Sequence, residues 1–246
     1  MMGGGSTPEL QITLISPESP VSNYVGEVRT FKASVNQSNV IVRWKLDGYL
    51  VQGNNNPPAN SEISYNYDAV FGSHELKVEA EKNGVLVSKS WTWNVDEILG
   101  TCNSTPDGNS VRENAQIEID EATLYRRFDG THYVEVNWSG IAGMGYVADP
   151  ETIVSSCEMS VKIIISWQVL TYPGDPEQQY VDTETEVSYC NGEGTNTLDL
   201  PYPYDNITIV VYLNTKCTMW KWLFDAIPIR LTLSDHAYAS CRINVG

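Results

Sequence analysis

Apolar and polar residues alternate with period 2 along most of this chain. In residues 40–48, Val40, Val42, Trp44 and Leu46 share one parity, Ile41, Arg43 and Lys45 take the other, and an Asp47-Gly48 turn closes the run. Such alternation places one set of side chains on each face of a half-buried strand. Residues 28–35 repeat it, with Phe31, Ala33 and Val35 against Thr30, Lys32 and Ser34. In residues 74–81, Leu76, Val78 and Ala80 oppose Glu75, Lys77, Glu79 and Glu81, and residues 85–95 put Trp91, Trp93 and Val95 on one face. Shorter strands are predicted at residues 10–15 and 63–67. Asn83-Gly84 is a hairpin turn, and residues 53–58, with Pro57 and Pro58, read as a polar loop that cannot donate regular ladder bonds. Roughly seven short strands in about 90 residues, with a tryptophan on the third, predict an immunoglobulin-like sandwich.

The pattern continues after a break. Residues 97–109 are rich in turn residues and lack periodicity, as a linker would be. Beyond it Ala115, Ile117 and Ile119 alternate, and residues 124–128 and 132–138 flank an Asp129-Gly130 turn. Cys157, Met159, Val161, Ile163, Ile165, Trp167 and Val169 share one parity over a run longer than an ordinary strand. Val181 to Tyr189, Ile207 to Leu213, Ile227 to Leu233 and Ala237 to Val245 supply further alternating runs. Helical periodicity is confined to short pieces, and no period repeats the first module. The chain is therefore expected to be all-β, with two tandem antiparallel β-sandwiches: an Ig-like one over 8–96, a linker over 97–109, and a larger one of unassigned topology over 110–246. Residues 1–7 read as a leader or tag, with neither the basic nor the apolar region of a signal peptide.

Four segments of the first module carry a more specific likeness. They are Gly26-Glu27-x-x-Thr30-Phe31-x-Ala33, Trp44-x-Leu46-Asp47-Gly48, Gly72-x-His74-x-x-x-Val78 and Ser90-Trp91-Thr92-Trp93-x-Val95. Over about residues 8–96 this resembles the PKD-like and Ig-like repeats of archaeal cell-surface, S-layer-associated proteins. The resemblance implies an extracellular spacer or adhesion unit whose partners are other surface proteins.

Composition narrows the function. The 246 residues include 31 Asp and Glu against 15 Lys and Arg, a formal net charge of −16. That balance excludes phosphate-backbone binding and opposes anionic membranes unless divalent cations intervene. No apolar run approaches the roughly 20 residues that span a bilayer. The five cysteines, Cys102, Cys157, Cys190, Cys217 and Cys241, form no C-x-x-C pair and have no histidine beside them, so disulfides fit better than metal ligation. Shared inward parity makes a Cys157–Cys241 bridge attractive, with Cys190–Cys217 as the second pair and Cys102 left over; buried free thiols are the alternative. Sequons at Asn36, Asn103, Asn137 and Asn206 permit glycosylation of an exported glycoprotein.

Candidate chemistry is sparse. His74, His132 and His236 belong to no metal-spacing motif, and no nucleophile elbow or thiol-protease arrangement is present. Carboxylate pairs for glycoside hydrolysis come from separate strands and are not identifiable from spacing. Asp182, Glu184 and Glu186 would put three carboxylates on one strand face, where Ca²⁺ would relieve their repulsion. Trp220, Trp222 and Phe224 would share a face if residues 219–224 form a strand, lining a surface that stacks on sugar rings or on another subunit, or else completing the core. The expected function is an extracellular structural or adhesive module acting through protein or glycan contacts or self-assembly, with no catalytic residues. The alternative is a carbohydrate-binding accessory region of a surface hydrolase; a β-fold enzyme is the third reading.

Overall fold

The computed structural model describes residues 8–104, 115–142, 152–167, 178–187, 191–200, 206–223 and 227–245. Among them there are strands and turns and no helix. The expected leader, residues 1–7, lies outside the described residues. The chain divides into two compact units, Met1–Glu97 with Arg127–Gly130, and Ile98–Arg126 with Thr131–Gly246.

In the first unit β1 (Ile12–Ser16), β3 (Val28–Val35) and β6 (Glu62–Asp68) form one sheet in the order β1-β3-β6. The other sheet runs β5-β4-β7-β8, from β5 (Tyr49–Asn55), β4 (Ile41–Leu46), β7 (Gly72–Lys82) and β8 (Val85–Cys102). The short β2 (Val21–Tyr24) lies parallel to β8, pairing Val21 with Trp93. Because β3 leads to β4 and β6 leads to β7, the chain switches sheets in the Greek-key manner of an Ig-like sandwich. Asp47-Gly48 and Asn83-Gly84 turn their hairpins with both residues at positive φ, 50° and 85°, then 50° and 81°.

The inward positions meet as the alternation requires. Val42, Trp44, Leu76, Val78, Trp91, Trp93, Phe31 and Ala33 are wholly buried. Trp44 stacks on Trp91 at 5.9 Å, and Phe31 meets the edges of Trp91 and Trp93 at 5.3 and 5.2 Å. Each such aromatic contributes about 2–3 kcal/mol by leaving water, so this cluster does what an inter-sheet disulfide does in antibody domains. Trp91 donates Nε1–H to the Pro17 carbonyl at 2.8 Å and Trp93 to Asn23 Oδ1 at 3.0 Å.

The second unit packs β13-β10-β9 against β12-β11-β14-β15. The first sheet comprises β9 (Ala115–Arg126), β10 (His132–Ala142) and β13 (Asn191–Leu200), with β8 as the neighbour of β9 on the other side. The second comprises β11 (Thr152–Trp167), β12 (Gln178–Val187), β14 (Asn206–Leu223) and β15 (Ile227–Asn244). Its core holds Ile117, Ile119, Trp138, Met159, Ile163, Ile165, Ile209, Val211 and Leu213.

Several boundaries differ from the sequence expectation. The expected linker is strand as far as Cys102, because β8 continues past Glu97 and the following Ser104 bonds Ile119 of β9; residues 105–109 lie outside the described residues. Residues 115–119 and 124–128 are not separate strands. A bulge between the Asn137–Glu121 and Trp138–Ile119 pairs lets one strand, β9, absorb the change of parity at Asp120. Likewise residues 227–233 and 237–245 join as one strand, β15, which pairs with β14 from Leu223–Ile227 to Asn206–Asn244 without a register shift. β13 and β5 carried no clear strand pattern at all, yet β13 pairs with β10 over ten consecutive positions.

Candidate functional site

The outer face of β11, β14 and β15 is the candidate site. On β14 the odd positions from Ile207 to Cys217 are buried, so the even positions face solvent. Trp220 continues that even series and is 39% exposed. It therefore stands on the outer surface and does not complete the core. Tyr212 and Tyr238 are directly opposite each other and exposed, with ring centroids 6.2 Å apart, and Lys162 of β11 pairs with Tyr212 from the other side. Eight residues further along β14, about 26 Å away at ~3.3 Å per residue, Trp220 pairs with Arg230. Asn214 with His236 and Lys216 with Ser234 fill the interval. The result is a sheet surface with aromatic rings at two points, polar side chains between them, and the cations Lys162, Lys216, Arg230 and Arg242. Tyr212, Tyr238 and these cations escaped the sequence reading. The even positions of residues 206–223 and 227–244, read as one surface, would have found all of them but Lys162, which lies on β11.

Of the other residues expected here, Trp222 occupies β14 opposite Pro228, and Phe224 lies outside the described residues. Asp182, Glu184 and Glu186 fall on β12, but the ladder is irregular there. Thr185 pairs with Val161 while Asp182 pairs with Ile163, a register shift within the ladder.

The disulfide pairing needs correction. Cys157 is bridged to Cys217 and Cys241 to Cys102; Cys157 and Cys241 are not joined, and Cys190 lies outside the described residues. Cys157 and Cys217 are direct partners in the β11–β14 ladder, whereas β14 separates Cys157 from β15. Two strand spacings amount to about 10 Å, beyond the reach of a disulfide. The Cys102–Cys241 bridge, with Cα atoms 5.8 Å apart, ties the end of β8 to β15. Gly100 lies against Ile243 there, and a Cβ at Gly100 would meet its Cγ2 at 2.6 Å.

His74 sits between Asp47 Oδ2 (2.8 Å, Nδ1) and the Val70 carbonyl (2.9 Å, Nε2), both acceptors, an arrangement the imidazolium satisfies in full. Burial pushes the Asp47 carboxyl upward, but hydrogen bonds from His74 and the Glu75 N–H outweigh it and hold the group below its ordinary value. Burial, with the Arg126 charge beside it, holds buried His132 below the ordinary histidine value. His236 is exposed on the outer face of β15. Among the sequons, the Asn36 amide accepts from the Gln11 N–H and donates to the Glu9 carbonyl. Asn137 accepts from the Thr195 hydroxyl, Asn103 is exposed, and Asn206 opens β14.

No protein-family model and no curated protein matches the chain. Among solved structures, it is similar to the fibronectin(III)-like modules of Clostridium thermocellum CbhA, at 24% identity over 35% of this chain and 98% of that one, with a TM-score of 0.30. It is similar to extracellular domains 3–5 of Drosophila OTK at 9% identity, over 93% of this chain and 97% of that one, TM-score 0.32. An I-band fragment of titin gives 11% identity over 96% and 88%, TM-score 0.32. By its own topology the chain is an all-β protein of two tandem sandwiches, the first of them Ig-like.

Proposed function

We propose that the chain is an exported structural or adhesive module of a cell surface or appendage. It works through contacts with other surface proteins and has no catalytic centre. The observation that carries this is the pair of bridges, Cys102–Cys241 and Cys157–Cys217, inside the second unit. Disulfides of this kind persist in oxidising, extracytoplasmic compartments. The likeness of residues 8–96 to PKD-like repeats supports an archaeal surface as the setting. Thiol titration of denatured, unreduced protein recovered from a secretory host tests the reading. One reactive thiol among the five cysteines is expected; five would end it.

A second reading, a carbohydrate-binding accessory region, is favoured by Trp220 standing outward beside Arg230. An aromatic face next to polar donors stacks on a sugar ring. Retardation of the wild type, and not of Trp220→Ala, in gels containing a polysaccharide would support it.

A further inference from the structure

The tripeptides Asn-x-Ser/Thr that begin at Asn36, Asn103, Asn137 and Asn206 are held by the fold in different ways. Those at Asn137 and Asn206 belong to central strands. Asn137 of β10 faces Glu121 of β9 and Thr195 of β13, and Trp138, the middle residue of its tripeptide, is wholly buried. Its carboxamide accepts from the Thr195 hydroxyl, and the Ser139 hydroxyl is committed to Asp120 at 3.0 Å. Asn206 opens β14 opposite Asn244, and the next residue, Ile207, is buried between partners on β11 and β15. Asn36 lies just past β3 with both ends of its carboxamide taken: Oδ1 accepts from the Gln11 N–H at 2.9 Å, and Nδ2 donates to the Glu9 carbonyl at 2.7 Å. Asn103 differs on each count. It follows the end of β8, outside any ladder, is exposed, and its carboxamide makes no hydrogen bond among the described residues. The main chain on either side is anchored, Cys102 to Cys241 by its bridge and Ser104 to β9. Ser104 donates its N–H to the Ile119 carbonyl at 3.0 Å, and its hydroxyl accepts the Ile119 N–H at 3.1 Å.

We propose that Asn103 is the acceptor of an N-linked glycan on the folded chain, and that Asn36, Asn137 and Asn206 are not. This rests on the reading of the chain as an exported module and names a covalent modification of it. In the transfer, Asn103 Nδ2 attacks the anomeric carbon of an oligosaccharide carried on a polyprenyl pyrophosphate. The N–C bond forms as the C–O bond to phosphate breaks, the amide gives up one proton, and the lipid pyrophosphate leaves; nothing is oxidised or reduced. For this the nitrogen has to leave the partners it donates to, and the tripeptide has to bend away from the protein into the cleft of a transferase. A tripeptide within a central strand does so only by breaking ladder bonds, which leaves polar groups of the neighbouring strands unpaired. It would also bring Trp138 or Ile207 out of the core into water. Asn36 would have to release both of its bonds to residues 9–11. At Asn103 the carboxamide is already in water, and Ser104 is the neighbour to be released; Thr105, which completes the tripeptide, lies outside the described residues. A bulky, hydrated glycan there keeps the end of β8 clear of protein contacts, so the surfaces through which the module meets its partners lie elsewhere.

The test uses folded, unglycosylated full-length protein from an oxidising bacterial host. It is incubated with a polyprenyl-pyrophosphate-linked oligosaccharide and a transferase that accepts Asn-x-Ser/Thr, and mass spectrometry of its peptides locates the product. A single glycan per chain, at Asn103, is expected. Asn103→Gln should take up none and should melt with the wild type, because the amide it replaces holds nothing in the fold. The reduced, denatured chain, in which no tripeptide is held in a ladder, should gain glycans at the remaining acceptor positions as well. Folded wild type left unmodified at Asn103 would overturn the proposal. So would folded protein modified at Asn36, Asn137 or Asn206 as readily as at Asn103, or a denatured chain that gains no further site. Transfer is scored on purified protein, and the thiol count on protein recovered from a secretory host. Failure of the glycan assignment therefore leaves the exported-module reading to its own test, and five reactive thiols would end that reading whatever the transferase does.

Discussion

Gly194 lies directly opposite Trp138 in the β10–β13 ladder, and the indole is laid across it. A Cβ at Gly194 would meet Trp138 Cζ2 at 2.6 Å, Cε2 at 2.8 Å and Nε1 at 3.1 Å. The ring is wholly buried and its Nε1–H donates to Asn196 Oδ1 at 2.9 Å, so it cannot swing away without losing that bond. Gly194→Ala should therefore cost about 1–3 kcal/mol in overpacking and about 1 kcal/mol for the displaced hydrogen bond. A loss of about 2–4 kcal/mol lowers Tm by roughly 6–12 °C in a protein of this size. Trp138→Leu alone should cost about 2–3 kcal/mol for the vacated volume. If the clash is the cause, the double substitution should cost little more than Trp138→Leu alone. Urea denaturation of the four proteins completes the cycle. Additivity within about 0.5 kcal/mol would refute the packing of β13 on β10 described here.

Three other outcomes follow from the same geometry. The Cys102–Cys241 bridge spans 139 residues, less the 60 bypassed by the inner bridge; the loop-closure relation for about 79 residues gives some 4.5 kcal/mol as a ceiling, and typical bridges deliver about 2–4. Cys102→Ser/Cys241→Ser should lose that amount in urea, and an unchanged midpoint would contradict it. Trp91→Phe strands the Pro17 carbonyl, whereas Trp44 Nε1 has no partner among the described residues. Trp91→Phe should thus cost about 1–2 kcal/mol more than Trp44→Phe in thermal melts, and equal costs would count against the Pro17 bond. Asp47, held below its ordinary value, contributes stability that is complete above the ordinary aspartate pKa of about 4 and is lost as pH falls through its lowered folded value. Unfolding measured at neutral and at acid pH should therefore show a smaller acid loss for Asp47→Asn than for wild type; parallel curves would dismiss the contribution.

The legible parts of the fold were those where one parity persists. Val42, Trp44 and Leu46, then Trp91 and Trp93, announced a sandwich because every second residue is large and apolar, and all lie in the core. β13 was not legible. Asn191-Gly192-Glu193-Gly194-Thr195-Asn196 reads as a loop, and what makes it a strand is the ladder offered by β10 and the glycine that receives Trp138. Parity identified Cys157 and Cys241 as inward, but the pairing depends on which strands are neighbours, and period 2 does not report strand order. Of the candidate site the sequence singled out Trp220 and missed the cations, for a related reason. Lys162, Lys216, Arg230 and Arg242 are scattered over three strands and become one surface only when β11, β14 and β15 are laid side by side.

Central to this account is a second sandwich held by two specific bridges, one across the β11–β14 ladder and one from β8 to β15. Proteolytic mapping of unreduced, alkylated protein from an oxidising host tests it most directly. One peptide pair joining Cys157 to Cys217 is expected, with another joining Cys102 to Cys241 and with Cys190 recovered alkylated. A peptide joining Cys157 to Cys241 would contradict it.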